Sequence, residues 1–225
     1  MNTYKEVQSE ELSQLHASFL EARQNQKNSH TGLLMQWFAD IPERWLEGLA
    51  QNSKCGTDIW LDSSQLSRFI VGMNAHLALR DAIILASIRE VDRKNFHHLV
   101  EHPLARSSAE FVHQELDDIF HDKKYCPDFS RVDRALSLMD ECITTSPYEL
   151  CTALYAAQAY LLWWENYVDK ALYAAAKALE IDDEYPLACI TINALTHDIT
   201  PAWCRKYAQV ARQGEEEDTA SNSQE

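Results

Sequence analysis

A chain of 225 residues with 35 acidic and 20 basic side chains carries a formal charge of −15 at neutral pH. That field repels nucleic acid and anionic membrane surfaces and would attract a basic partner. Only 5 glycines and 6 prolines argue against the frequent tight turns of a sandwich or barrel, while abundant alanine, leucine and glutamate favour helix.

Residues 6–26 place Leu12, Leu15, Phe19 and Ala22 on a narrow stripe, which predicts an amphipathic helix with a charged outer face. Residues 24–30 read as a polar linker. After the short apolar segment 33–38, Asp40 and Pro42 stand as cap and first turn of a helix running to about Asn52 through Trp45, Leu46 and Leu49. Residues 54–58, with Gly56, read as a loop. Asp62 or Ser63 then caps a helix in which Leu66, Phe69, Ile70 and Met73 recur at helical spacing. Gly72 and Asn74 weaken it before a second buried helix, HLALRDAIILASI, whose Arg80 and Asp81 belong at the edge of the core.

From Val91 to Pro103 the chain turns polar and histidine-rich and reads as a solvated segment. Ser107 and Ser108 restart a helix over 107–121 with Phe111, Leu116, Ile119 and Phe120 as its stripe. Residues 123–128, with Pro127, form a connector, and a helix over 132–143 ends before Pro147.

The next stretch, residues 148–164, is YELCTALYAAQAYLLWW, in which only Gln158 is plainly polar between Ala153 and Trp164. A helix apolar all round must be enclosed by others, so this is the predicted central helix. Gln158 reads as a buried amide bonded to a neighbouring helix, because an unpaired one costs about 1–3 kcal/mol. After a break at Glu165–Asn166, residues 167–181 carry Ala171, Leu172, Ala175, Ala178 and Leu179 on one face of a second, antiparallel helix. Small residues there permit close approach. A further helix is expected over 185–195 and a terminal one from near Pro201, with Trp203, Tyr207 and Val210 closing the stack. The end of the chain, GEEEDTASNSQE, has no apolar content and is expected to be disordered.

From Thr152 onward the residues resemble a tetratricopeptide-like repeat, a helical hairpin of about 34 residues. Tyr155, Ala159, Ala171, Ala175 and Ala178 occupy its characteristic positions, whereas Gln158 stands where a leucine is usual and Asp183 where a proline is usual. Ala135, Leu136, Cys142 and Ile143 precede Ala171, Leu172, Ala178 and Leu179 at a constant offset, an internal echo expected of stacked hairpins. More widely, LRDAIILASI, ELCTALYAAQAYLLWW and KALYAAAKALEIDDEYPLA resemble the actinobacterial domain of unknown function family 4192 over residues 63–195. Arg80, Asp81, Asp183, Tyr185, Leu187 and Ala188 match its points of resemblance. The chain lacks the strand-rich N-terminal half of longer members and has Glu165–Asn166 where a glycine-aspartate turn is common. This resemblance implies a helical fold and a bacterial source, and it implies no mechanism, since that family carries no assigned activity.

Candidate chemistry is sparse. In FHHLVEH, His98 and His102 stand four apart on one helical face with Glu101 adjacent, a spacing that can hold zinc or nickel. An H-E-x-x-H motif is absent, and spacing fixes no third ligand. Neither a G-x-S-x-G elbow nor a glycine-rich phosphate loop or dinucleotide fingerprint occurs. Cys55, Cys126, Cys142, Cys151, Cys189 and Cys204 include no C-x-x-C pair and read as core thiols rather than disulfides or a zinc set. A cysteine-histidine nucleophile would be assembled only by the fold. No run approaches the roughly 20 apolar residues that span a bilayer, and the N-terminus shows no apolar signal region.

These readings give an all-α protein of about nine helices in stacked antiparallel hairpins, tetratricopeptide-like in its second half. A helical half over 1–106 is expected to pack as one unit with hairpins over 107–213, followed by the acidic tail 214–225. The expected function is a cytoplasmic, non-catalytic interaction or scaffold module, without cofactor, that holds a protein or peptide in a hairpin groove. Tyr160, Trp163 and Trp164 are its anchors, since large rigid aromatics concentrate binding energy. Two alternatives stay open: a metal-dependent enzyme using His98 and His102 within segment 97–102, and a self-associating structural protein using the same aromatics.

Overall fold

Residues 9–29, 32–50, 61–125 and 127–204 are described by the structure, a computed structural model. Among them are eleven α-helices, one 3-10 turn and no strand. In chain order the helices are α1 (Ser9–Ser29), α2 (Leu33–Phe38), α3 (Ile41–Ala50), α4 (Ser63–Ala75), α5 (Leu77–Ile88) and α6 (Arg93–Glu101). There follow α7 (Arg106–His121), α8 (Phe129–Thr145), the 3-10 turn Tyr148–Leu150, α9 (Thr152–Trp164), α10 (Val168–Ile181) and α11 (Pro186–Thr196).

Side chains at the helix ends explain many of these boundaries. Asp62 and Gln65 form a reciprocal capping box on α4, with Gln65 N–H to Asp62 Oδ1 at 2.9 Å and Asp62 N–H to Gln65 Oε1 at 2.8 Å. Asp92 and Asp128 accept the first free amides of α6 and α8, from Asn95 and Arg131. At the end of α9 Asn166 takes a left-handed φ of 63°, and Tyr167 N–H reaches Leu162 O at 2.9 Å. That is the Schellman closure, and asparagine tolerates the left-handed conformation usually given to glycine.

Three expectations are corrected by the structure. Residues 24–29 continue α1 instead of forming a linker. The histidine-rich segment is a helix, α6, because Phe96, Leu99 and Val100 recur at helical spacing after the Asp92 cap and are buried. The central helix begins at Thr152, preceded by the 3-10 turn. With α2 and α6 as short helices of their own, the count exceeds nine. Tyr207, Val210 and residues 214–225 lie outside the described residues, as do Cys55 and Cys126.

Two helices lie at the centre. Helix α9 is buried along almost its whole length and packs on α10, α11, α8, α5 and α4, its contact with α10 being the most extensive in the protein. Helix α5 is likewise buried from Leu79 to Ile88 apart from Asp81, and α3, α4, α6, α8 and α9 surround it. Between α4 and α5 the chain bends by 104° at His76. Gly72 permits the bend: a Cβ there would lie 2.6 Å from Phe38 Cε1 and 2.7 Å from Leu79 Cδ2. One hydrophobic cluster runs from Leu12 to Ala194 and so includes both halves of the chain.

Polar ties across the helices are specific. Asn74 donates to Leu150 O at 2.9 Å, tying α4 to the turn before α9. Gln158, buried in α9, donates to Asp140 Oδ1 of α8 at 2.7 Å. Arg134 and Arg131 donate to the carbonyls of Leu49 and Ala86 at 2.7 and 2.6 Å, near the C-terminal ends of α3 and α5 where a cation opposes the helix dipole. No single helix among the described residues is long and apolar enough to cross a membrane.

Candidate functional site

Helix α7 sets the site. Alone among the eleven α-helices, it makes no extensive backbone approach to another helix. It buries only Ser108 and Ile119, and touches the core through the side chains of Phe111, Val112, Leu116 and Phe120. Between α7 and the central pair α5 and α9 this leaves a cleft of about 640 Å³, a volume in the ordinary range for ligand sites. Its floor is apolar, from Leu77, Ala82, Leu99, Leu116, Phe120 and Trp164, and its polar groups are Asp81, Ser108, His113, Asp117 and Tyr160.

Tyr160, Trp163 and Trp164 share a face of α9 because they stand three and four residues apart. They form one aromatic cluster with Phe120 of α7: Tyr160 to Trp163 is 5.1 Å between ring centroids, Trp163 to Trp164 5.8 Å, and Phe120 to Trp164 6.0 Å. The structure nevertheless separates their roles. Tyr160 and Trp164 line the cleft, whereas buried Trp163 turns toward the C-terminal side and donates from Nε1 to Ile199 O at 2.8 Å. Trp164 is 1% exposed, and its indole N–H meets no acceptor among the described residues. Burial pushes the Tyr160 hydroxyl up to about 12, with the negative charge of Asp81 adding to the effect.

Asp81 is held at the mouth by Arg80, whose Nε and Nη2 donate to the same oxygen, Oδ1, at 2.9 and 2.7 Å. Arg80 is itself buried and also donates to Tyr185 Oη at 3.1 Å, so three residues singled out in the sequence meet here although Tyr185 is remote in the chain. Burial works against the Arg80 charge, but Asp81 and Tyr185 outweigh it and hold its pKa above the ordinary value.

A second cavity of about 670 Å³ adjoins the first, and the two share Leu77, Ala78 and Pro103. Arg23, Gln26, His76, Glu101 and His102 are among its walls, together with Leu104 on the loop between α6 and α7. Leu77, shared by the two cavities, is 56% exposed, and Leu104, at the second, is 94% exposed, so this surface presents leucines to solvent.

The histidines are distributed rather than gathered. His98 and His102 stand one turn apart on α6 with ring centroids at 5.1 Å, and His98 Nε2 lies 2.8 Å from Ser107 Oγ. His97 turns to Glu43, 2.7 Å away, His113 lines the first cleft, and His121 pairs with Asp117 at 3.2 Å. Among the described residues no group of three or more histidine, cysteine, aspartate or glutamate side chains is placed to hold a metal ion. Cys142, Cys151, Cys189 and Cys204 are free thiols. Burial pushes Cys151 and Cys204 up to about 11 and Cys142 well above its usual range, which suits packing rather than nucleophilic attack.

Sequence reasoning missed Asp117, Phe120 and Leu77 as site residues. No local pattern marks them, since each sits on a helix that could have faced anywhere. Glu165, directly after Trp164, was also passed over as turn. It is 4% exposed, and neither carboxylate oxygen has a hydrogen-bond partner among the described residues. Its burial, with Asp133 nearby, pushes its pKa up to about 7. No family model, curated protein or solved structure matches the chain.

Proposed function

We propose that this protein is an interaction module that holds a segment of a partner protein in the groove formed by the two adjoining cavities. The observation that carries the reading is the sequence of apolar side chains from Trp164 and Phe120 in the first cavity, over the shared and exposed Leu77, to the exposed Leu104 of the second. Scattered surface leucines need no explanation, but exposed leucines lining two adjoining cavities mark a binding surface. Two adjoining cavities of about 640 and 670 Å³ suit several consecutive side chains of a peptide. Tyr160 and Trp164 supply rigid walls at one end, in keeping with the part aromatic anchors play in interfaces.

Peptides selected from a random library on the purified full chain test the reading. Leu77→Asp alters only a half-exposed side chain at the start of α5, and it is expected to weaken the selected peptides at least about tenfold, equivalent to about 1.4 kcal/mol. Equal affinity for the wild type and this variant would place binding elsewhere. A dimer in light scattering that dissociates on the same substitution would make the occupant a second copy.

A further inference from the structure

The chemistry of the occupant follows from the end of the groove beside Tyr160, and it rests on the reading that the groove takes a protein segment. We propose that this end seats a lysine or arginine side chain of the partner segment, held between Asp81 and Asp117 beside the Tyr160 ring, while the segment's apolar residues cover Leu77 and Leu104. Two carboxylates line the cleft and no lysine or arginine does. Both Arg80 contacts fall on Asp81 Oδ1, and the Asp81 side chain keeps 50% of its surface in solvent. Asp117 is equally open, at 52%, and among the described residues its carboxylate pairs with His121 on its own helix. The Tyr160 ring adds an aromatic face of the kind that attracts cations. The charge of −15 draws a basic segment toward the molecule, and the cleft offers it two carboxylates above an apolar floor.

The apolar walls of the cleft, among them Leu77, Leu99, Leu116 and Phe120, favour an occupant that brings apolar side chains along with its cation, as a peptide does and a free ammonium or metal ion does not.

The test uses the full chain and two short amidated peptides, one alternating leucine with lysine and one alternating leucine with glutamine, with fluorescence anisotropy as readout. The lysine peptide is expected to bind at least about tenfold more tightly than the glutamine peptide. Asp117→Asn should remove most of that difference. Asp169→Asn, the same charge change at an exposed position of α10 that lines neither cavity, should leave it intact. Asp117 is chosen over Asp81 because Asp81 also holds Arg80 in place. If the two peptides bind equally and Leu77→Asp weakens both, the cation seat is wrong and the groove reading stands. If Leu77→Ser, which removes the apolar side chain without adding a carboxylate to the cleft, leaves the lysine peptide untouched, the groove reading itself fails. Equal weakening by Asp117→Asn and Asp169→Asn would reduce the effect to diffuse net charge and overturn the seat, as would a lysine peptide that does not bind.

Discussion

At the scale of single residues, Glu165 has the largest consequence. An unpaired buried carboxylate prefers its neutral form, and here burial and Asp133 push its pKa from the ordinary 4.5 up to about 7. Between those two values the folded protein binds more protons than the unfolded chain, so stability falls as pH rises through the window and levels off above it. A carboxyl moved from 4.5 to about 7 bounds the effect at about 3 kcal/mol. Glu165→Gln should flatten this slope and leave the variant about 1–2 kcal/mol more stable than the wild type at about pH 8, with little difference at about pH 5. Urea unfolding at the two pH values measures it; a difference that does not change with pH would mean that Glu165 is not the group that titrates. By contrast Gln158, legible in the sequence as a lone amide in an apolar helix, is satisfied by Asp140 and carries no such dependence.

At the scale of elements, α4 and α5 illustrate how a residue unfavourable for helix can be required by packing. Replacing an interior glycine by alanine gains about 1 kcal/mol in an exposed helix. At Gly72 the added Cβ would meet Phe38 Cε1 at 2.6 Å and Leu79 Cδ2 at 2.7 Å, both on buried side chains. Overpacking of that kind costs about 1–3 kcal/mol, so Gly72→Ala is expected to destabilise, net, by up to about 2 kcal/mol. A stabilised variant in thermal or urea unfolding would show that Phe38 and Leu79 can retreat. Asn74 tells the same story: it weakens helix in isolation, yet its amide bridges to Leu150 and makes α4 part of the platform under α9.

At the scale of the whole molecule, the buried Arg80 ties α5 to the N-terminal cap of α11 by donating to Tyr185 Oη. The shared hydrophobic cluster and this bond predict a single cooperative transition in which secondary structure and tryptophan fluorescence change together. Tyr185→Phe removes one partner of a buried cation and should cost about 1–2 kcal/mol, lowering the Tm by about 2–8 °C without splitting the transition. Two separated transitions would mean that the halves fold apart. The sequence by itself determined the absence of sheet signals, the helix start at Asp62, the enclosure of α9 and the pairing of Gln158, because caps and apolar periodicity act over one or two turns. It also placed Tyr160, Trp163 and Trp164 on one face. Only the tertiary structure decided that Trp163 turns to Ile199 while Tyr160 and Trp164 line the cleft, that α7 stands off and contributes Asp117 and Phe120, and that Glu165 is shut away from water. Those outcomes depend on how the faces of remote helices fit one another, at contacts such as Gly72 on Phe38 and Arg80 on Tyr185, and no local pattern records that fit.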